Sequence, residues 1–141
     1  MTTSTSVCME VTTMPHAGRQ LTWKEALALC YEAGFRDKGL VTAVAVMAAE
    51  SARFIKASHD NAPAGGLGID RGLFQINSYW HRQLSDEEAY RARPNIAYAF
   101  QLSSKGRDWT AWSTYKSKAH VKYLPVVQMV KARGGWRKLV R

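Results

Sequence analysis

The run Leu40–Ala49, LVTAVAVMAA, constrains this chain more than any other stretch. Thr42 is its single polar residue, so a helix built from it has almost no polar face. Such a helix is stable only when other elements surround it. The expectation is a buried central helix, starting near Asp37 or Lys38 and running to about Phe54. Its alanines, Ala43, Ala45, Ala48 and Ala49, let neighbours approach closely. A chain of 141 residues can wrap one such core, but hardly two. Hydrophobic residues at 46% and charged residues at 22% are ordinary for a globular protein.

The apolar run ends on a lone carboxylate, Glu50. An acid near a helix C-terminus opposes the helix dipole, which raises its pKa. Residues 57–69 then read as a loop, with Asn61, Pro63, Gly65, Gly66 and Gly68. From Ile69 to Ser78 the expectation is a short, irregular β element; a tight turn feeding a helix is the alternative. Asp70, twenty positions after Glu50, is a second acid that a loop can bring opposite the first. Cleaving a glycosidic bond needs a proton for the leaving oxygen and help for a developing oxocarbenium ion. The donor must stay protonated near neutral pH, hence partly buried. The same residues also allow a blander reading. Glu50 can be a surface acid that caps the helix or pairs with Arg53, and Asp70 can be a turn aspartate bonding its own backbone before Gly72. Residue type alone leaves both open.

Around this pair the chain reads as an irregular N-terminal segment, residues 1–20, and one domain, residues 21–141. Thr22-Trp23-Lys24-Glu25 forms a capping box that starts a helix with Ala26, Leu27, Leu29 and Cys30 as its apolar stripe and Gly34 past its end. Ser85 caps a helix start with Asp86, Glu87 and Glu88 in its first turn. Pro94-Asn95-Ile96 precedes another helix, closed by Lys105-Gly106. An aromatic cluster spans Trp109–Tyr115. A last helix is expected over about 119–131, despite Pro125, and Gly134-Gly135 breaks it. The tail Trp136–Arg141 is basic and reads as a solvated end, with a grip on cell-wall phosphates or lipid headgroups as the alternative.

The formal net charge of +9 attracts an anionic polymer or surface, without choosing among nucleic acid, anionic lipid and bacterial wall. Cys8 and Cys30 do not make a disulfide framework, so the chain suits a reducing compartment or is indifferent to redox state. His16, His59, His81 and His120 are scattered and give no metal spacing, so neither metal nor other cofactor is expected. The first residues lack the basic and apolar regions of a secretory signal, and no apolar run reaches the length of a membrane span.

Glu50-Ser51, followed after the loop by Asp70-Arg71-Gly72-Leu73-Phe74-Gln75-Ile76-Asn77-Ser78-Tyr79-Trp80, resembles the lysozyme superfamily. The stretch is similar to animal c-type lysozymes. Gly-Leu-Phe-Gln-Ile is also similar to the corresponding segment of soluble lytic transglycosylases, and phage lysins and tail-associated muramidases carry close variants. The likeness covers roughly residues 37–124. It implies a mainly α (α+β) lysozyme-like fold: a helical domain, a small β-hairpin lobe and a substrate groove between them. It implies Glu50 as general acid and Asp70 as second carboxylate. Gln75 and Asn77 would bond sugar hydroxyls or N-acetyl groups, and Trp80 would stack on a sugar face. Trp109 would pack on Glu50 and hold its pKa up, and Tyr115 would stand near the acid. Arg71 beside Asp70 would keep it ionised. The c-type disulfides are absent, so stability rests on the core.

The implied activity is cleavage of the MurNAc–GlcNAc bond of bacterial peptidoglycan. One alternative is a lytic transglycosylase that forms 1,6-anhydro ends with Glu50 as sole acid and base. The other is a non-catalytic module binding cell wall or nucleic acid, although no nucleic-acid motif is present and none is expected as partner. A monomer is expected. Without a secretory signal, the expectation is synthesis in a host cytoplasm, with access to the wall after holin-type release or as a virion component.

Overall fold

The computed structural model describes residues 17–141. Cys8, and most of the irregular segment expected at the N-terminus, lie outside the described residues. Helices α1 (Trp23–Ala33) and α2 (Asp37–Ser51) come first. A three-stranded antiparallel sheet follows, β1 (Ser58–Asp60), β2 (Ile69–Arg71) and β3 (Ile76–Asn77), in that spatial order. Then come α3 (Asp86–Ala89), α4 (Ala92–Leu102), α5 (Ser113–Lys116) and α6 (Leu124–Arg133), with short 3-10 turns at Val121–Tyr123 and Gly135–Leu139.

The central helix is where the apolar run demands it. Leu40, Ala43, Val44, Ala45, Val46, Met47 and Ala48 are all buried, and α1, α5 and α6 pack around them. The capping boxes at Thr22/Glu25 and Ser85/Glu88 both form. The helix ends earlier than the sequence suggests, at Ser51 rather than Phe54. Ser51 Oγ donates to Met47 O and accepts from Arg53 N, which unwinds the chain. Ala52 and Arg53 then take left-handed φ values of 51° and 67°. The Arg53 guanidinium donates to Leu21 O and lies 3.8 Å over the Trp23 ring. It therefore turns toward α1 and is not the partner of Glu50.

Other boundaries also move. β1 lies inside the expected loop, because its register with β2, Ser58 opposite Arg71 and Asp60 opposite Ile69, supplies backbone bonds that its own composition does not advertise. The lobe is therefore a three-stranded sheet and not a lone hairpin. The last helix starts at Leu124, so Pro125 sits in its first turn, where the missing N–H removes no helical bond. The basic tail is docked instead of trailing in solvent. Trp136 is wholly buried, its indole donates to Lys131 O, and its ring meets Tyr31 at 5.4 Å.

An aromatic cluster joins the two lobes. Phe35, Phe74, Trp109 and Trp112 are all buried, with ring centroids 5.1–6.4 Å apart in the contacting pairs. Phe74 follows Gly72 in the turn between β2 and β3, so this turn is pinned to the helical core. Helix α2 fixes Glu50 from one side, and the pinned turn fixes Asp70 from the other.

Candidate active site

Glu50 is the penultimate residue of α2 and is half-buried. It borders a cleft of about 340 Å³ whose walls also include Asp70, Gln75, Asn77, Trp80, His81 and Trp112. Burial pushes the Glu50 carboxyl from its ordinary 4.5 up to about 7, and the negative charge of Asp70 adds to the rise. One group opposes them. The Thr114 hydroxyl donates to Glu50 Oε2 at 2.6 Å, which favours the ionised form. The net result is an acid that still holds its proton near neutral pH, open to a groove.

Asp70 is the middle residue of β2, paired with His59 on one side and Asn77 on the other. Strand alternation sends its neighbour Arg71 to the opposite face. Arg71 is buried there, donating to Ile76 O and Leu84 O and pairing with Asp86 at 3.0 Å. The expectation that Arg71 acts on Asp70 is thus corrected: it clamps the lobe from behind. Asp70 instead accepts from Asn77 Nδ2 at 3.0 Å.

Asn77 lines the cleft, but its amide is fully engaged. Nδ2 donates to Leu67 O and to Asp70, while Oδ1 accepts from the backbone N–H groups of Tyr79 and Trp80. That leaves it holding Asp70 and the following turn rather than a sugar. Gln75 is similar on its nitrogen side, where Nε2 donates to Ala57 O and Gly72 O across the lobe. Its oxygen has no partner among the described residues. The turn that presents it needs Gly72, at φ 73°, because a Cβ there would strike Ala89 O and Asn95 Nδ2. Buried Asn95 locks the same turn, accepting from Phe74 N and donating to Arg71 O and Ala89 O.

Trp80 stands at the rim, 67% exposed, edge-on to Tyr79 at 4.8 Å. An exposed indole face beside a polar cleft is a stacking platform for a sugar ring. Trp109 and Tyr115 are not in the cleft wall. Trp109 is stacked with Phe35 and Phe74 in the core, and its indole donates to Gly106 O. Trp112, three residues on, is the tryptophan that reaches the cleft, anchored by its indole to Phe74 O. Tyr115 stacks on His120 at 4.7 Å. A non-helical turn from Trp109 to Trp112 separates facing from non-facing residues here, and spacing alone did not resolve it.

Sequence reasoning missed Thr114. It meets Glu50 across 64 positions, and nothing in Ser113-Thr114-Tyr115 marks it locally. It also missed Lys116 and His81, both in the cleft wall. His81 Nδ1 lies 2.9 Å from the Tyr98 hydroxyl, and burial together with Arg71 holds its pKa below the usual range. Among the described residues no three His, Cys, Asp or Glu side chains gather as a metal site, and no helix is long and apolar enough to cross a membrane.

The family model described as a lysozyme-like domain matches residues 27–114, which include Glu50, Asp70 and Thr114. No curated protein and no solved structure matches the chain. With more than half its length matched, the chain belongs to the lysozyme-like domain family. Membership suggests a glycosidase or lytic transglycosylase acting on peptidoglycan.

Proposed function

We propose that this member of the lysozyme-like family is an N-acetylmuramidase, hydrolysing the MurNAc–GlcNAc β-1,4 bond of peptidoglycan. The observation that carries the reading is two carboxyls lining one cleft: Glu50, with its pKa pushed up to about 7, and Asp70 on β2. Glu50 donates its proton to the glycosidic oxygen as the bond to the anomeric carbon breaks. Asp70 offers negative charge to the oxocarbenium ion that forms. Glu50, now ionised and stabilised by Thr114, then takes a proton from the incoming water. Trp80 supplies stacking at the rim, and Lys116 supplies a cation at the edge for an anionic substrate. The net charge of +9 and the likeness to phage lysins favour action as a lysin or a virion-borne muramidase.

The test is product analysis on purified peptidoglycan. Wild-type protein should release muropeptides with reducing MurNAc ends, and Glu50→Gln should release none. Asp70→Asn should lower turnover by orders of magnitude. Anhydro-sugar ends, with full turnover by Asp70→Asn, would replace this reading with the transglycosylase. Unimpaired lysis by Glu50→Gln would remove both.

A further inference from the structure

The positive charge of this protein is not spread along it. Residues 109–141 hold eight Lys and Arg and no Asp or Glu, whereas residues 1–108 hold twelve against eleven. The whole excess therefore comes, within one charge, from the last quarter of the chain. Few of these charges are neutralised. Among the described residues the ion pairs are Arg19–Glu25, Arg71–Asp86 and Arg93–Glu32, none of which involves a cation from 109–141.

The fold gathers part of this charge on one surface. Lys24 and Tyr31, seven residues apart, share a face of α1. The docked tail lies on that face. The Lys24 ammonium rests against Gly135, and Arg137 stands 5.8 Å from the Tyr31 ring and 4.6 Å from Trp136. Arg36 caps Tyr31 at 3.6 Å. Lys138 is exposed beside Arg137. Between the start of α2 and the length of α6 is a concavity of about 410 Å³ lined by Lys38, Val41, Leu124 and Lys131 among others. Asp37 also borders it. This surface is separate from the cleft: the concavity is at the start of α2, and Glu50 is at its end.

We propose that this surface docks a phosphodiester polymer of the bacterial wall, holding the enzyme beside the glycan that it cuts. Guanidinium forks and ammonium groups without carboxylate partners are suited to repeated phosphates. The aromatic rings argue against single-stranded nucleic acid. Trp136 is turned wholly inward and Tyr31 carries guanidinium groups, so no bare ring is offered for stacking on nucleic-acid bases. What remains is a surface that reads phosphate charge. The choice of a wall polymer over duplex DNA or anionic lipid rests on the muramidase reading, and the DNA and vesicle arms below test it.

The test uses full-length Glu50→Gln protein, so that binding is read without cleavage. Soluble poly(glycerol phosphate) is titrated in by calorimetry over a salt series, with double-stranded DNA and phosphatidylglycerol vesicles as parallel arms. The polymer should bind best, with an affinity that falls steeply with salt. Replacing Lys24, Arg137 and Lys138 by Gln should weaken it about tenfold, as expected when a few phosphate contacts are lost. The control Lys105→Gln with Arg107→Gln, matched in charge to Lys24→Gln with Lys138→Gln, should not. If Arg137→Gln loosens the tail, seen as a fall in Tm, Lys24→Gln with Lys138→Gln carries the comparison instead. Equal weakening by the control, or tighter binding of DNA or vesicles, overturns the proposal. Poly(glycerol phosphate) has no glycosidic bond, so failure of the muramidase reading would leave the binding result standing.

Discussion

Replacing Glu50 by Gln should stabilise the protein while it destroys the activity, and the gain should depend on pH in a defined direction. In the folded state the carboxyl has a pKa of about 7, against about 4.5 when it is solvated in the unfolded chain. The folded pKa is the higher one, so the proton favours the native state. That contribution is complete below about pH 4.5 and is lost as pH rises through about 7. Holding the ionised carboxylate in the cleft then costs about 3 kcal/mol, from 1.36 kcal/mol per pKa unit. Glutamine never ionises and keeps an oxygen that can accept from Thr114. The two proteins should therefore unfold alike near pH 4 in denaturant titrations. At pH 8 the variant should lead by about 3 kcal/mol, or about 10 °C in Tm. A gap of constant size across this range would mean that Glu50 does not carry a raised pKa. The assignment of a neutral-pH proton donor would then fall, whatever the lysis assay gave.

Thr114→Val removes a hydrogen bond to the ionised form of Glu50, so the Glu50 pKa should rise by about one unit, from a bond worth about 1–2 kcal/mol. Carboxyl-carbon NMR titration and the alkaline limb of the pH–rate profile should both move upward, and Thr114→Ser should restore them. Trp80→Ala should raise KM roughly tenfold or more with kcat little changed, since stacking at an exposed rim acts on substrate and transition state alike; a fall confined to kcat would contradict that role. Gly72→Ala should cost about 3 kcal/mol or more in denaturant unfolding, because it combines a left-handed φ with a clash against Ala89 O and Asn95. Wild-type stability in that variant would show that the turn is not pinned as described.

The reach of the sequence follows the range of the interactions involved. The central helix was legible because burial of an all-apolar run depends only on the run itself, and the two capping boxes were legible because their partners lie three residues apart. Glu50 and Asp70 stood out as the acid ending that helix and the acid opening the motif that follows the loop. Tertiary structure decided what each of them faces. It closed a strand from Ser58–Asp60 inside what reads locally as loop, and strand alternation turned Arg71 away from Asp70 toward Asp86. It chose Trp112 over Trp109 for the cleft and brought Thr114 to Glu50 across 64 positions. It also folded the basic tail onto α1 through Trp136. Local pattern carries backbone preference and burial, which belong to single segments. The direction in which a side chain points, and the proton affinity that results, belong to pairs of segments that meet only when the chain is packed.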